Sequence, residues 1–546
     1  HARMRLQRRQ HGVDEAVKEV PATLSGDPGL LFDRMRWRRQ KRLHDGVVEL
    51  LLDPPDRLVQ PTRWWFEREL QIRRALRSRE FDLAYRLASR HGQTEGEDYA
   101  AAEWLAGWLA LRFGRQPNTA QRHFERLYAS AEAPVIQAQA AYWLGRAAAA
   151  LGDQAVAAEW YQRAADHQIA YYGQLAAEEL GAAYRPPRPP PPADVMLRSR
   201  FQAKELVRVA RMLIEVGATA QLNPFLTRLA DLAESPAEVG LVAELAAASG
   251  RPHLVTQVGR FAAYYGHVNE AAAFPIPDLA GLVRPPPGEP EAALLLGVAR
   301  QESIFNPWVA SHKGAQGLMQ LIPQTASLMA RSLRLPYNPS LLTGNPDYNV
   351  RLGSHYLKTL LTRYQGTTAL AVAAYNAGPR RVEEWLRLHG DPRRGDRYDL
   401  IDWIELIPFD ETRNYVQRVL EGRGMYQRRL ADPRVAMVWF RPVNGPLDPL
   451  PGPLLKPLEQ AREVVLAALL ERAPKPKLKP DRGGVIPVGL NPRPSPDAVP
   501  SPEPAPPSPE LVPPSPELVQ DEDLDLAARN GASPTGPPPA SLDPES

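Results

Sequence analysis

Residues 290–320 read PEAALLLGVARQESIFNPWVASHKGAQGLMQ, and this stretch decides how the rest of the chain is read. Pro290 and Glu291 put a proline and an acid in the first turn of a helix. Leu295, Val298 and Glu302 then fall at i, i+3 and i+7, so Glu302 projects from the same face as two apolar residues. A carboxyl on a core-side face loses hydration, which disfavours its charged form and raises its pKa. That is the property wanted of a general acid near neutral pH. The same pattern also fits a structural carboxylate tied down by a buried arginine or by backbone donors.

The neighbourhood of Glu302 is empty of other acids. Between Ser303 and Pro346 there is none, and from Ala292 to Val382 the only carboxylates are Glu302 and Asp347. Ser303, Asn306, Ser311, Gln316, Gln320, Gln324 and Thr325 alternate instead with Phe305, Trp308, Met319 and Ile322. Neutral amides and hydroxyls interleaved with apolar faces suit a sugar, whose ring substituents want hydrogen bonds and whose ring faces want apolar cover.

Three ordered motifs carry a family resemblance. Arg300-Gln301-Glu302-Ser303 with Asn306-Pro307, Ser311, Gly314 to Gln320 and Pro323 forms the first. Ala374-Tyr375-Asn376-Ala377-Gly378 is the second, and Trp403 to Phe409 followed by Glu411-Thr412-Arg413-Asn414-Tyr415-Val416 is the third. Together they resemble the soluble lytic murein transglycosylases, and Tyr171-Tyr172-Gly173-Gln174-Leu175 resembles the end of that family's superhelical region. The resemblance implies a lysozyme-like, mostly helical catalytic domain acting on peptidoglycan glycan strands. Its single glutamate, matched by Glu302, cleaves the β-1,4 bond between N-acetylmuramic acid and N-acetylglucosamine and leaves a 1,6-anhydro sugar. Ser311 and Gln320 match sugar-contacting and glutamate-supporting positions, and Met319, Ile322 and Asn376 fall at substrate-binding ones. Tyr375 matches the tyrosine whose hydroxyl lies beside the glutamate, and Glu405 matches a second glutamate lining the groove. Ile322 departs from the family, which often has methionine there, and the N-terminal superhelix is shorter than in its long members. A goose-type lysozyme-like hydrolase and a non-catalytic glycan-binding scaffold are the competing readings.

Working outward, the chain is all-α. Trp65, Trp104 and Trp143 are spaced by 39 residues, each followed by an aromatic, Tyr85, Phe124 and Tyr161, about one helix later. Paired helices in a tetratricopeptide-like repeat explain that spacing, and a helical-repeat superhelical domain is expected over 1–184. The run RPPRPPPP at 185–192 interrupts it, since no helix continues through such a block. A helical linker domain is expected over 194–284 and the catalytic domain over 288–430. Beyond them a helix is read over 458–472. The tail, 473–546, contains PPSPELV twice, at 506–512 and 513–519, and reads as disordered because it has no aromatic residue with which to build a core.

The composition removes several classes of function. With no cysteine among 546 residues, disulfides, thiolate catalysis and cysteine-ligated metals are excluded. HExxH, glycine-rich phosphate loops and G-x-S-x-G are absent, so neither metal nor cofactor is expected. The apolar stretches are too short for a membrane helix. No apolar signal core follows His1, which reads as a start already processed or truncated. The net charge is +3, and the cluster Arg34 to Arg42 is interleaved with Met35 and Trp37 as on one wet helix face, so no nucleic-acid partner is expected. A periplasmic site follows from the resemblance, with cell-wall synthesis or divisome proteins as partners for the repeats or tail. Removing 475–546 should leave the melting temperature and activity on soluble glycan fragments unchanged; a clear drop in a thermal scan would show that the tail packs on the folded part.

Overall fold

The 39-residue tryptophan spacing resolves into helix pairs in the structure, a computed structural model that describes residues 1–55, 57–183, 191–277, 279–395 and 398–431. Pro61–Arg77 pairs with Phe81–Ser89, Gly96–Arg112 with Pro117–Ser130, and Pro134–Ala150 with Gln154–Ala165; Tyr171–Leu180 follows. Proline opens three of these helices, where its missing N–H costs nothing. The first helix of each pair carries the repeat tryptophan, and all three indoles are buried. Small residues let the partners close. A Cβ on Gly107 would stand 2.5 Å from the Phe124 ring, and one on Gly145 would stand 2.5 Å from the ring of Tyr161.

The basic cluster lies on Pro28–Gln40 and the turn after it. Met35 is fully buried, while Arg38 pairs with Glu49 at 3.0 Å and Arg39 with Glu67 at 2.7 Å. These arginines therefore bind neighbouring helices. The helices from Val195–Ala203 to Pro252–Tyr264 enclose a separate apolar cluster that includes Phe201, Val207, Leu226, Val242 and Val258. Val216 and Leu232 follow the apolar period but cap their helices at the surface.

The region expected to be catalytic begins with Ala292–Ser303 and continues through Pro323–Ser332, Pro346–Arg363, Thr368–Ala377, Pro379–His389, Leu400–Glu405 and Asp410–Ala431. No strand occurs among the described residues; two isolated bridges, Ala310 to Gln316 and Gln316 to Leu321, tie the loop after Glu302. Gly378, at φ 87°, ends one helix so that Pro379 can open the next. No helix among the described residues is long and apolar enough to cross a membrane. The helix read over 458–472 and the tail 473–546 lie outside the described residues, as does most of the first proline block.

Repeat and catalytic helices meet through three buried acids. Asp402 accepts from Trp108 Nε1 at 3.0 Å and Arg112 Nε at 2.7 Å, Glu405 accepts from Tyr172, and Glu421 accepts from the Tyr171 amide at 3.1 Å. Within the catalytic region, Ala292–Ser303 packs on Asp410–Ala431 at glycine contacts. A Cβ on Gly297 would stand 3.0 Å from the Val419 carbonyl oxygen, and one on Gly422 would stand 3.2 Å from Gly297 Cα. Gly297→Val is expected to overpack this contact at a cost of about 1–3 kcal/mol. Thermal unfolding checks it, and an unchanged midpoint would show that the close approach is dispensable.

Candidate active site around Glu302

Glu302 sits one residue from the end of its helix, on a turn whose apolar residues from Ala293 to Ala299 are buried. The chain then reverses through Ile304 at φ 50° and Phe305 at φ 66°. Two consecutive left-handed side-chain-bearing residues, one of them β-branched, store on the order of 1–3 kcal/mol each. Surrounding bonds hold that reversal: Ser303 Oγ donates to the carbonyls of Ala299 and Leu318, at 3.1 and 2.8 Å. Arg300 is committed elsewhere, with Nε bonded to the Ala273 carbonyl at 2.8 Å and its guanidinium 4.1 Å from the centre of the Phe274 ring.

Glu302 keeps part of its surface open to solvent, yet apolar atoms crowd its carboxyl. Burial pushes its pKa up to about 8; a hydrogen bond from Tyr415 opposes the rise, and the nearby Glu411 charge adds to it. The Tyr415 hydroxyl donates to Glu302 Oε1 at 2.6 Å, which leaves Oε2 for the proton. Among the described residues, neither a buried arginine nor a set of backbone donors holds this carboxyl. A phenol does. Tyr415 belongs to the third motif, but nothing local to that motif reveals its partner, 113 residues away in sequence.

Tyr375, the tyrosine expected beside the glutamate, lies within Coulombic reach of Glu302, but the hydrogen bond to the carboxyl comes from Tyr415. Tyr375 is buried and donates its hydroxyl to the Met319 carbonyl at 2.8 Å. It remains close enough for the Glu302 charge to help hold its phenol protonated, after burial as the main cause. The Met319 side chain, expected at the substrate, is wholly buried, and the bare Cα of Gly353 makes its room. Its backbone N–H donates to Asn349 Oδ1 at 2.8 Å. Asn349 was not singled out by the sequence, although it also donates to the carbonyls of Gln316 and Leu342 at 2.9 and 3.0 Å. Gly317 is required beside it: at φ 78°, a Cβ there would stand 2.1 Å from the Leu342 oxygen.

Gln320 and Ser311 shape the same loop. Gln320 sits at φ 44° and donates its amide to the carbonyls of Val309 and Gly317, at 3.0 and 2.8 Å. Ser311 Oγ accepts from the Ala315 amide at 3.0 Å. Ile322 precedes the Pro323–Ser332 helix with its side chain exposed, and Asn376 accepts from Thr412 Oγ1 at 2.7 Å. Glu405 departs from the groove position expected of it. Its side chain is 2% exposed, held by Tyr172, by Gln417 Nε2 at 2.6 Å and by Arg413 at 3.9 Å. Burial still raises its pKa, against the pull of Arg413, Tyr172 and Arg73. The structure thus brings Glu302, Tyr375 and Tyr415 together and encloses Glu405 at the boundary with the repeat helices.

Residues 288–396 match the family described as Transglycosylase SLT domain. The soluble lytic murein transglycosylase of Escherichia coli K12 is 37% identical over 138 residues, which are 25% of this chain and 21% of that protein. The Salmonella typhimurium protein of the same description is 37% identical over 144 residues, covering 26% of this chain and 21% of its own length. An inactive mutant of lytic transglycosylase Slt from Pseudomonas aeruginosa has a similar fold, with a TM-score of 0.53 at 25% identity over 79% of this chain and 72% of that one. The chain spans about a fifth of the length of these curated relatives. Residues 288–396, which include Glu302, thus match the Transglycosylase SLT domain, and the likeness to the soluble lytic murein transglycosylases seen in the motifs holds.

Since the Tyr415 bond favours the carboxylate, Tyr415→Phe should raise the Glu302 pKa above about 8. A general acid works while protonated, so the basic limb of a kcat/KM profile should move to higher pH. An unmoved limb would show that the bond does not tune Glu302.

Proposed function

We propose that this protein is a peptidoglycan lytic transglycosylase in which Glu302 cleaves the β-1,4 bond between N-acetylmuramic acid and N-acetylglucosamine. The observation that carries the reading is a carboxyl with its pKa near 8 and one phenolic partner, at the head of a loop rich in neutral hydrogen-bonding groups. In the first half of the reaction Glu302 gives its proton to the glycosidic oxygen as the C1–O bond breaks. The carboxylate then takes the proton of the muramic C6 hydroxyl as O6 bonds to C1. The proton count closes, no water is consumed, and the product is the 1,6-anhydro sugar. A carboxyl poised near the working pH suits both halves, since it must donate and then accept. On this reading the exposed Ile322 and the loop held by Ser311 and Gln320 contact the glycan, while Met319, Tyr375 and Asn376 shape the wall behind them.

The same reading assigns 1–184 to a helical-repeat domain, 194–284 to a linker domain and 288–430 to catalysis. It places the protein in the periplasm, with glycan strands as substrate and cell-wall proteins as partners for the repeats. Hydrolysis is the second reading, because exposed Glu411 lies within Coulombic reach of Glu302 and a two-acid glycosidase needs a base at such a place.

Product masses and two variants separate the readings. Glu302→Gln should keep the melting temperature and lose about 10²- to 10⁴-fold in turnover. Glu411→Gln should retain anhydro product, lighter by one water than a hydrolysis product. Reducing-end products from the unaltered protein, with equal loss in both variants, would replace the transglycosylase by the hydrolase.

A further inference from the structure

Tyr171-Tyr172-Gly173-Gln174 contributes nothing to the chemistry proposed for Glu302, yet its polar groups are bonded to the catalytic half of the molecule. The Tyr171 amide donates to the Glu421 carboxylate at 3.1 Å, Tyr172 donates its hydroxyl to Glu405 Oε1, and Gln174 Nε2 donates to the Glu421 carbonyl at 3.0 Å. Glycines lie at both ends of this contact. A Cβ on Gly173 would stand 2.2 Å from the His167 oxygen, and one on Gly424 would stand 2.2 Å from Gln174 Oε1. Both tyrosines are buried.

The receiving element is Asp410–Ala431, the helix that carries Tyr415. Gln417, two residues beyond Tyr415, donates to the same Glu405 oxygen that Tyr172 reaches, at 2.6 Å. The Glu405 carbonyl in turn accepts from Arg73 of the first repeat helix at 3.0 Å. We propose that Tyr172 is a positioning residue: through Glu405 and Gln417 it sets where the Asp410–Ala431 helix lies, and so holds Tyr415 against Glu302. The chain of contact is short. At a rise of about 1.5 Å per residue, Gln417 lies about 3 Å along the helix axis from Tyr415. A displacement of about 1 Å along the bond would stretch the 2.6 Å Tyr415 contact past hydrogen-bonding range. The repeat helices thereby belong to the catalytic apparatus.

The inference rests on Glu302 being the acid, but its test needs no turnover. The charged and titratable groups facing Glu302 are Tyr415, Tyr375 and Glu411; those facing Glu405 are Tyr171, Tyr172, Arg413, Arg73 and Asp402. In the full chain labelled with carboxyl-¹³C glutamate, the Glu302 resonance is identified by its loss in Glu302→Gln and titrated by NMR. Tyr172→Phe should raise the Glu302 midpoint by roughly half a pH unit, about threefold in proton affinity, in the direction of Tyr415→Phe. The double variant should titrate as Tyr415→Phe alone, because Tyr172 acts through Tyr415. Gln417→Met cuts the same connection from the catalytic side; it should reproduce the shift and decides the question if Tyr172→Phe does not fold. Folded variants that titrate like the unaltered protein, or a Tyr172→Phe shift that adds in full to that of Tyr415→Phe, would overturn the proposal. If the titrations behave as expected while the unaltered protein releases no glycan product, the clamp stands and the functional reading falls.

Discussion

The contact on which the site depends is the approach of two helices at Gly297 and Gly422. Without side chains there, the backbones of Ala292–Ser303 and Asp410–Ala431 come within direct van der Waals contact, a separation that a Cβ on either glycine would contest. That separation lets a tyrosine on one helix reach a carboxyl on the other at 2.6 Å. Burial of the Glu302 carboxyl raises its pKa. The Tyr415 bond opposes that rise.

A second constraint acts at the boundary with the repeat helices. Asp402, Glu405 and Glu421 are all buried, and each is met by donors from the repeat side: Trp108 and Arg112, Tyr172, and the Tyr171 amide. Buried acids gain little net stability from such pairing, because desolvation consumes most of the attraction. Their contribution is orientation. An acid left unpaired there would cost several kcal/mol, so alternative dockings of the two regions are disfavoured more strongly than the native one is favoured. Burial of Glu405 raises its pKa while its partners oppose the change, as expected where placement matters more than charge.

Much of the fold was legible in the sequence because helical repeats are made of local, periodic contacts. Tryptophans 39 residues apart, with an aromatic one helix later, fit stacked pairs better than an irregular helical domain, and the indoles of Trp65, Trp104 and Trp143 are buried. Glu302 was legible for the same kind of reason, since i, i+3 and i+7 lie on one face whatever the face packs against. The Met319 side chain was expected at the substrate but is buried, because the residue types that line a sugar groove also build the core behind it. Val216 and Leu232 follow the apolar period but end their helices at the surface. Periodicity does not register where an element stops.

The sequence by itself determined the helices, the repeat and the placing of Glu302 on an apolar face, all properties of residues within a few turns of one another. Which phenol meets Glu302 was decided only by tertiary structure, because Tyr415 arrives from 113 residues away by the packing of two glycines. The fate of Glu405 was decided there too. Its motif places an acid among apolar residues, and whether that acid faces a groove or a wall depends on the repeat helices that cover it, whose positions no local pattern encodes.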